Sequence, residues 1–267
     1  MSQNVRVDAA QCTGCGRCLE ICPMRIFQPG GQGSVPVIGP NAEKCIACGH
    51  CVAACPGGAI TASGIGAASL QKADISLLPT YDQFAALVAQ RRSIRTFKSQ
   101  PIPQEKIDRL IDLLRMAPTA KNLLPLQWTV VNNPESTHRL AGIIVDGIRS
   151  RDDAKPIIDA WEQGYDWVLR GAPCLIFAHT DETSNWTAFD SSIAVEIADL
   201  AAPLLGLGAC WAGYFISAAG VNPILRSALS LGAADRIGAA LMLGIPDDET
   251  YLRVPYRPEP AVRYLEP

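Results

Sequence analysis

Eight of the ten cysteines in this sequence lie between residues 12 and 55, in two runs of identical spacing. Each run reads C-x2-C-x2-C-x3-C-P, and each cysteine of the first run has a counterpart at the same offset in the second. A 4Fe-4S cubane needs four thiolates that converge from different directions, and C-x2-C-x2-C in a tight loop supplies three of them. The spacing therefore predicts two 4Fe-4S clusters with eight ligands: Cys12, Cys15, Cys18, Cys22, Cys45, Cys48, Cys51 and Cys55.

The fourth ligand of each cluster follows from a resemblance. The two runs resemble bacterial-type two-cluster ferredoxins, in which the last cysteine of each run ligates the cluster of the other run. The resemblance implies that Cys55 completes the first cluster and Cys22 the second. Zinc and a disulfide scaffold are the alternatives, but all eight positions match the cluster pattern. His50 is either a hydrogen-bond donor to a cluster sulfur or an exposed loop histidine.

Composition and charge argue against some classes of binding partner. The net charge of −3 and the absence of a Lys/Arg block argue against nucleic acid and against a membrane surface. The N-terminal residues lack the charged start and apolar stretch of a signal peptide, so we expect a cytoplasmic protein. An uncharged stretch, residues 200–225, is long enough to cross a bilayer. Because prolines and glycines interrupt it, we expect a buried helix, a turn and a buried strand instead.

The chain is expected to contain two domains. Residues 1–62 form the ferredoxin-like domain, residues 63–79 a linker and residues 80–267 a second domain. Gly64–Ser69 and Asp82 weakly match a dinucleotide-binding fingerprint, but no βαβ unit follows them. In the second domain, periodicity predicts an α+β arrangement. Helices are expected over 81–92, 103–115, 134–149, 155–170, 186–206 and 223–231, and strands over 126–132, 172–179, 209–215 and 237–244.

Four segments of the second domain, in the right order, resemble the nitroreductase family of FMN proteins. They are RRSIRTF from Arg91, APTAKN from Ala117, GLGACWAG from Gly206 and VPYRP from Val254. The resemblance implies an FMN-binding α+β domain, a homodimer through this domain and flavin sites shared between subunits. Two positions depart from the family: Leu124 stands where the family often has Gln, and Ala212 where compared members often have Glu.

The resemblance also assigns flavin contacts. Arginine forks and a hydroxyl suit a phosphate, and a cation near the pyrimidine would stabilise charge on the reduced ring. A loop after a helix reaches the flavin of the other subunit, and backbone N–H groups approach N5 and O4. The residues, in that order, are Arg91, Arg92, Ser93 and Arg257 for the phosphate, Arg95 for the pyrimidine, Thr119, Ala120 and Asn122 for the loop, and Ala212 and Gly213 for the backbone donors.

Some of these residues also have a simpler explanation. The arginines could instead form surface ion pairs with Asp82, Glu105 or Asp108. Cys174 and Cys210 lie in apolar strands, where cysteine behaves as a small hydrophobic residue. Trp211 and Tyr214 could line the flavin pocket or fill the core.

The combination of centres predicts a function. An iron-sulfur cluster carries one electron and a flavin one or two, so the pair would connect a one-electron donor to a two-electron reaction. We expect an oxidoreductase that passes electrons from an external donor, such as a ferredoxin, through both clusters and FMN to a small organic acceptor such as a nitro compound or quinone. The alternatives are an electron-transfer protein that only relays electrons, and an NAD(P)H-driven flow in the reverse direction through the clusters.

Overall fold

In the computed structural model, which describes residues 4–31, 33–181, 185–247 and 253–265, the chain forms two units. The first contains the described residues up to Leu78 together with Ala120–Leu123, and the second contains Pro79–Thr119 and the described residues from Leu124 onward. β4 of the first unit ends at Ala62. The expected linker at residues 63–79, and the domain boundaries on either side of it, remain predictions.

The first unit repeats its backbone as its sequence repeats. Gly16 and Gly49 precede the two short helices with φ of 73° and 72°. Gly14 and Ala47, which occupy equivalent places inside the cysteine loops, also have positive φ. Glycine adopts this left-handed conformation without a side-chain penalty, so the tight cysteine loops can turn directly into helices. The helices are α1 (Arg17–Ile21) and α2 (His50–Ala53).

Two small antiparallel sheets complete the first unit. One pairs the first strand with the last, and the other is a hairpin between the two cysteine runs. Apolar side chains from both halves, including Ile26, Phe27, Val52 and Ile60, are buried together. The strands are β1 (Val5–Val7), β2 (Phe27–Gln28), β3 (Val37–Ile38) and β4 (Ile60–Ala62).

The second unit is built on a four-stranded antiparallel sheet of order β5-β6-β8-β7. All seven residues of β6 are buried, because helices cover both faces of the sheet. Successive side chains of a strand point to opposite faces, so Leu175 and Phe177 enter one core and Cys174 and Ile176 the other. The strands are β5 (Gln127–Asn132), β6 (Cys174–Thr180), β7 (Gly208–Trp211) and β8 (Arg236–Gly244).

Seven helices are described in the second unit. α4 packs Ile107, Leu110 and Leu114 into the core with α7, as its periodicity predicts, while α5 and α8 contribute to the core on the opposite face. The α+β fold class is confirmed. The helices are α3 (Tyr81–Gln90), α4 (Gln104–Leu114), α5 (Pro134–Ile148), α6 (Lys155–Glu162), α7 (Thr187–Ala201), α8 (Gly213–Ala219) and α9 (Pro223–Ala228).

The helix predicted over 155–170 is wrong beyond Glu162. Gly164 has φ of 85°, and Tyr165 N–H donates to the carbonyl of Ala160 at 2.8 Å. This is a Schellman-type end, in which a left-handed glycine closes the last turn. The chain then runs as an irregular loop to β6.

The strand predicted over 209–215 is also wrong in its second half. β7 ends at Trp211, and Ile216 N–H donates to the carbonyl of Ala212 at 3.0 Å, which begins α8. Upstream, the helix predicted over 186–206 ends as α-helix at Ala201 and continues as a 3-10 turn, Ala202–Leu205. A run of apolar residues carries no periodicity that marks where one element gives way to the next.

Among the described residues, we find no helix with the length and apolar character needed to cross a bilayer. The stretch that follows α7 turns at Gly206 and enters β7, as expected from its glycines. The weak dinucleotide fingerprint has no strand-turn-helix context, because Ala67–Ser69 is a single 3-10 turn.

Candidate functional site

The eight cysteines of the first unit form two groups in space. One cavity is lined by Cys12, Cys15 and Cys18 of the first run with Cys55 of the second. A separate cavity is lined by Cys45, Cys48 and Cys51 with Cys22. The fold thus brings the last cysteine of each run to the other run, which is the crossed grouping. Four sulfurs that line one cavity are the donor set a cubane requires.

The two cysteine cavities differ in exposure. Cys15 in the first is exposed, whereas Cys45 and Cys51 in the second are both buried. Burial raises the pKa of the Cys51 thiol to about 11.

Backbone N–H groups point at two of these sulfurs. Gly14 N–H donates to Cys12 Sγ at 3.4 Å, and Ala59 N–H donates to Cys55 Sγ at 3.3 Å. Such donors stabilise negative charge on sulfur, so they suit thiolates bound to iron. His50 begins α2 as an exposed residue that also lines the second cavity.

The second unit contains a cleft of about 430 Å³ beside the end of β7 and the start of α8. Of the predicted flavin contacts, it brings together Arg95 and Gly213. A Cβ built on Gly213 would meet no atom within 4 Å, so the glycine faces open space. The cleft is lined by Arg95, Trp167, Val168, Arg170, Cys210, Trp211, Gly213, Tyr214, Ser217 and Met242.

The wall of this cleft that carries Trp167 and Arg170 was not predicted from the sequence. The carboxylate of Asp166 accepts N–H bonds from Val168, Leu169 and Gly171 and so fixes the loop. The guanidinium of Arg170 lies 5.9 Å from the centre of the Trp167 ring. An aspartate two residues before an apolar pair and an Arg-Gly step was the only sequence signal for this turn.

Trp211 and Tyr214, which the sequence left open between pocket and core, both line the cleft. Trp211 also packs against the core cluster formed with α4 and α7. Cys174 is fully buried, and burial raises its pKa to about 12, as expected for a structural cysteine. Cys210 is also buried but contributes to the cleft wall.

Arg91 forms a partly buried ion pair. Its Nη1 lies 2.9 Å from Oδ2 of Asp199, a residue of α7 whose side chain is 2% exposed. Burial raises the pKa of Asp199 to about 6, although the Arg91 cation acts in the opposite direction. Among the residues that the structure describes, none is a hydrogen-bond partner of Oδ1 of Asp199. The ion-pair alternative was therefore right in kind but wrong in partner, because Asp82, Glu105 and Asp108 are not the residues that Arg91 contacts.

The residues after Arg91 lie along β7. Ser93 forms an isolated parallel bridge with Ala209, and Ile94 N–H donates to the carbonyl of Ala209 at 2.8 Å. Gly208 admits this close approach, since a Cβ there would lie 2.7 Å from Ile94. Arg92 donates to the carbonyls of Ala89 and Arg91. The segment is thus held at the sheet edge with Arg95 reaching the cleft.

The remaining predicted flavin contacts lie elsewhere. Ala212 is fully buried and its N–H donates to the carbonyl of Ala240 at 3.0 Å, whereas Gly213 lines the cleft. Thr119 accepts the N–H of Leu124 and lines a separate cavity of about 420 Å³. Ala120 and Asn122 belong to the first unit. Arg257 is exposed and donates to the carbonyl of Tyr256 at 3.3 Å.

Comparison with known proteins then decides the family. The model described as the Nitroreductase family matches residues 88–245, which is more than half of the chain. The chain belongs to the nitroreductase family. A second model, described as a 4Fe-4S dicluster domain, matches residues 11–60. The resemblance drawn from the four segments and the two cysteine runs is confirmed.

Individual members of the nitroreductase family show the extent of the likeness. A putative NADH dehydrogenase/NAD(P)H nitroreductase from Methanothermobacter thermautotrophicus is 28% identical over 133 residues, which cover 48% of this chain and 59% of the relative. The 4-nitrobenzoate reductase of Pseudomonas putida is 24% identical over 202 residues, covering 62% and 87%. The match spans between 35% and 59% of the length of the first three curated relatives.

Solved structures of nitroreductases share the fold of the second unit. The crystal structure of a nitroreductase with bound FMN from Bacteroides fragilis superposes with a TM-score of 0.59 at 20% identity. The superposition covers 69% of this chain and 99% of that one. The likeness confirms the predicted nitroreductase-like fold.

Proposed function

We propose that this protein is an FMN- and iron-sulfur-dependent oxidoreductase that takes up single electrons through two 4Fe-4S clusters and reduces a small organic acceptor. The observation that carries the proposal is the pairing, in one chain, of two crossed four-cysteine cavities with a nitroreductase-type cleft. Neither the two cysteine cavities nor the cleft alone implies a conversion between one-electron and two-electron chemistry.

The first unit binds both clusters. Cys12, Cys15, Cys18 and Cys55 hold one, and Cys22, Cys45, Cys48 and Cys51 hold the other. Support comes from the match to a 4Fe-4S dicluster domain and from the grouping of the sulfurs around two cavities. An external one-electron carrier of the ferredoxin class supplies the electrons.

The second unit binds FMN, as the Bacteroides fragilis relative does. Gly213 presents its N–H to the isoalloxazine from an open position at the start of α8, and Arg95 provides a cation at the same cleft. Arg91, Arg92, Ser93 and Arg257 bind the phosphate. Asp199 holds the Arg91 guanidinium in place through its buried carboxylate. When bound, FMN would accept electrons one at a time from the clusters and pass two electrons to the acceptor.

The acceptor is a small planar conjugated molecule such as a nitroaromatic compound or a quinone. Trp167, Trp211 and Tyr214 line the cleft, and aromatic side chains favour stacking with flat rings. The 4-nitrobenzoate reductase among the relatives acts on a molecule of this kind by its name.

The enzyme works as a homodimer through the second unit. Apolar side chains remain partly exposed on two of its helices, Phe84 and Val88 on α3 and Phe189 and Ile193 on α7. A monomer would leave this apolar surface in water, whereas a second copy would cover it. Thr119 then contributes to the flavin site of the partner subunit.

A second candidate function reverses the flow, with NAD(P)H reducing FMN and the clusters exporting electrons. It is favoured by the names of several relatives, which are described as putative NADH dehydrogenase/NAD(P)H nitroreductases. The direction of electron flow is therefore the main question for experiment.

Anoxically purified protein tests the proposal in two steps. Iron and flavin analysis should give about eight iron atoms and one FMN per chain. Flavin bleaching by a reduced ferredoxin and not by NADH or NADPH supports inward flow, and turnover of a nitroaromatic or quinone then distinguishes an enzyme from a relay. Rapid bleaching by NADH would favour the reverse direction, and a lack of bound flavin would overturn the proposal.

Gly213→Val tests the position of the flavin. The side chain has room in the protein itself but would project into the cleft, so we expect bound FMN to fall at least about tenfold while iron content stays unchanged. Flavin absorbance and iron content of the purified variant measure both. Ala228→Val, at an exposed position of α9, is the matched control and should keep its FMN. Full FMN occupancy in Gly213→Val would contradict the assignment.

A further inference from the structure

The amide of Asn122 contacts the loop of one cysteine cavity. Its Nδ2 donates to the carbonyl of Ile46 at 3.1 Å, and both residues belong to the first unit. Ile46 directly follows Cys45 and lines the cavity formed by Cys22, Cys45, Cys48 and Cys51. The side chain assigned to flavin by family resemblance is therefore engaged with a cluster loop in this chain.

The segment around Asn122 has a backbone suited to this contact. Lys121 and Asn122 have φ of 53° and 54°, and Leu123 N–H donates to the carbonyl of Ala120 at 3.2 Å. Asparagine tolerates the left-handed conformation better than most residues. The single turn Ala120–Leu123 is joined through peptide bonds to Thr119 and Leu124 of the second unit. The turn that contacts the loop of Cys45 and Cys48 is therefore continuous in the chain with residues of the second unit.

The two cysteine cavities are not equivalent with respect to this turn. The cavity of Cys12, Cys15, Cys18 and Cys55 contains an exposed cysteine, Cys15, and a buried one, Cys18. The other cavity contains two buried cysteines and has the Asn122 contact. The two cavities thus differ in the exposure of their cysteines and in the contact with Asn122.

We propose that electrons leave the first unit from the cluster held by Cys22, Cys45, Cys48 and Cys51, and that Asn122 is the positioning residue that fixes the exit turn against that cluster's loop. The inference rests on the proposed function. A one-electron carrier reduces the cluster at Cys15, which is reoxidised as it passes its electron to the second cluster. The second cluster is reoxidised in turn by transfer to FMN. Two such passages, with one proton taken up from water, convert oxidised flavin to its two-electron-reduced anion.

The test uses the anoxic holoenzyme and two substitutions at residue 122. Asn122→Asp keeps shape and left-handed tolerance but sets a carboxylate against the Ile46 carbonyl, and Asn122→Gly removes the side chain. Lys121→Gly is the matched control, because it makes the same backbone change one residue earlier. We expect both Asn122 variants to slow flavin reduction by reduced methyl viologen roughly tenfold, as misplacement of a reacting pair does. Lys121→Gly should stay within about twofold of the unsubstituted protein.

Two further measurements distinguish the loss of positioning by Asn122 from damage to the fold or loss of cofactors. Iron content, FMN content and the cluster absorbance of the Asn122 variants should equal those of the unsubstituted protein, while amide exchange at Ile46 and Ala47 should become faster. Cys48→Ser, which removes the second cluster, sets the rate of direct flavin reduction by the viologen. Cys15→Ser, which removes the first, should retain a rate well above that baseline.

The outcomes are distinct. The inference is overturned if Asn122→Asp reduces its flavin as fast as Lys121→Gly, or if Cys15→Ser reduces its flavin no faster than Cys48→Ser. Unsubstituted protein without FMN or without iron would instead refute the proposed function. A protein with full cofactor content and no effect at Asn122 would refute this inference alone.

Discussion

Cys55→Ser is expected to remove the cluster of the first cysteine run and to leave that of its own run in place. Its sulfur lines the cavity of Cys12, Cys15 and Cys18, so the variant lacks the fourth ligand of that cluster. Anoxically purified Cys55→Ser should hold about four iron atoms instead of about eight. Iron analysis and the low-temperature EPR spectrum of the reduced protein measure the loss.

Double substitutions identify which cluster is lost. If the crossing is correct, Cys15→Ser combined with Cys55→Ser affects one site twice and retains about four iron atoms. Cys48→Ser combined with Cys55→Ser affects both sites and should retain almost none. An uncrossed arrangement predicts the opposite pair of iron contents, so the comparison gives a decision even if single variants lose part of their iron during purification.

Arg91→Met is expected to destabilise the second unit by about 3 kcal/mol at pH 8, at the lower end of the cost of breaking a buried ion pair. The substitution leaves the carboxylate of Asp199 buried beside Glu196, with its Arg91 partner gone. All five tryptophans lie in the second unit, so urea unfolding followed by tryptophan fluorescence reports on this unit. Arg91→Met should also retain less FMN, because the same arginine is proposed to bind the phosphate.

The stability lost in Arg91→Met should depend on pH in a defined direction. The pKa of Asp199 is about 6 in the folded protein, above the ordinary aspartate value, so the folded state binds this proton more tightly than the unfolded state. The carboxylate therefore costs most stability above pH 6, and the cost is relieved as the pH falls towards 4. Loss of the Arg91 cation raises the pKa further, so the deficit of Arg91→Met should be largest at pH 8 and small at pH 5.

A double-mutant cycle supplies the control. Asp199→Asn removes the buried charge, and in its background Arg91→Met should cost much less than in the unsubstituted protein. A deficit of equal size at pH 5 and pH 8, or no rescue by Asp199→Asn, would show that Arg91 stabilises the unit by packing of its side-chain stem instead.

Much of the fold followed from local patterns in the sequence. The i, i+3, i+7 spacing of Ile107, Leu110 and Leu114 predicted α4 and its buried face, and β6 was predicted from a short apolar run. The run through Trp211 could not be divided correctly, because strand and buried helix there share the same composition. The division falls at Ala212, whose N–H still donates to the carbonyl of Ala240 on β8 while its own carbonyl accepts the N–H of Ile216 in α8.

The candidate site was predictable to the degree that its residues lie close together in the chain. Fixed spacing identified the cysteines, and the arginine-rich segment placed Arg95 at the cleft. The partner of Arg91 was sought among nearby acidic residues, whereas Asp199 lies 108 positions away and enters the site from α7. Trp167 depends on a turn fixed by Asp166, and the engagement of Asn122 with Ile46 joins residues 76 positions apart. Such pairings arise from the three-dimensional fold, and no single motif contains them.

The pairing of β1 with β4 has an evolutionary consequence. Val5 lies opposite Ala62, so the first and last strands of the duplicated cysteine module are neighbours. A module whose two ends meet can be joined to another chain at one end without opening its own fold, much as inserted domains are tolerated when their termini are close. The same cysteine-bearing segment could therefore be joined to a different partner domain while keeping its own fold.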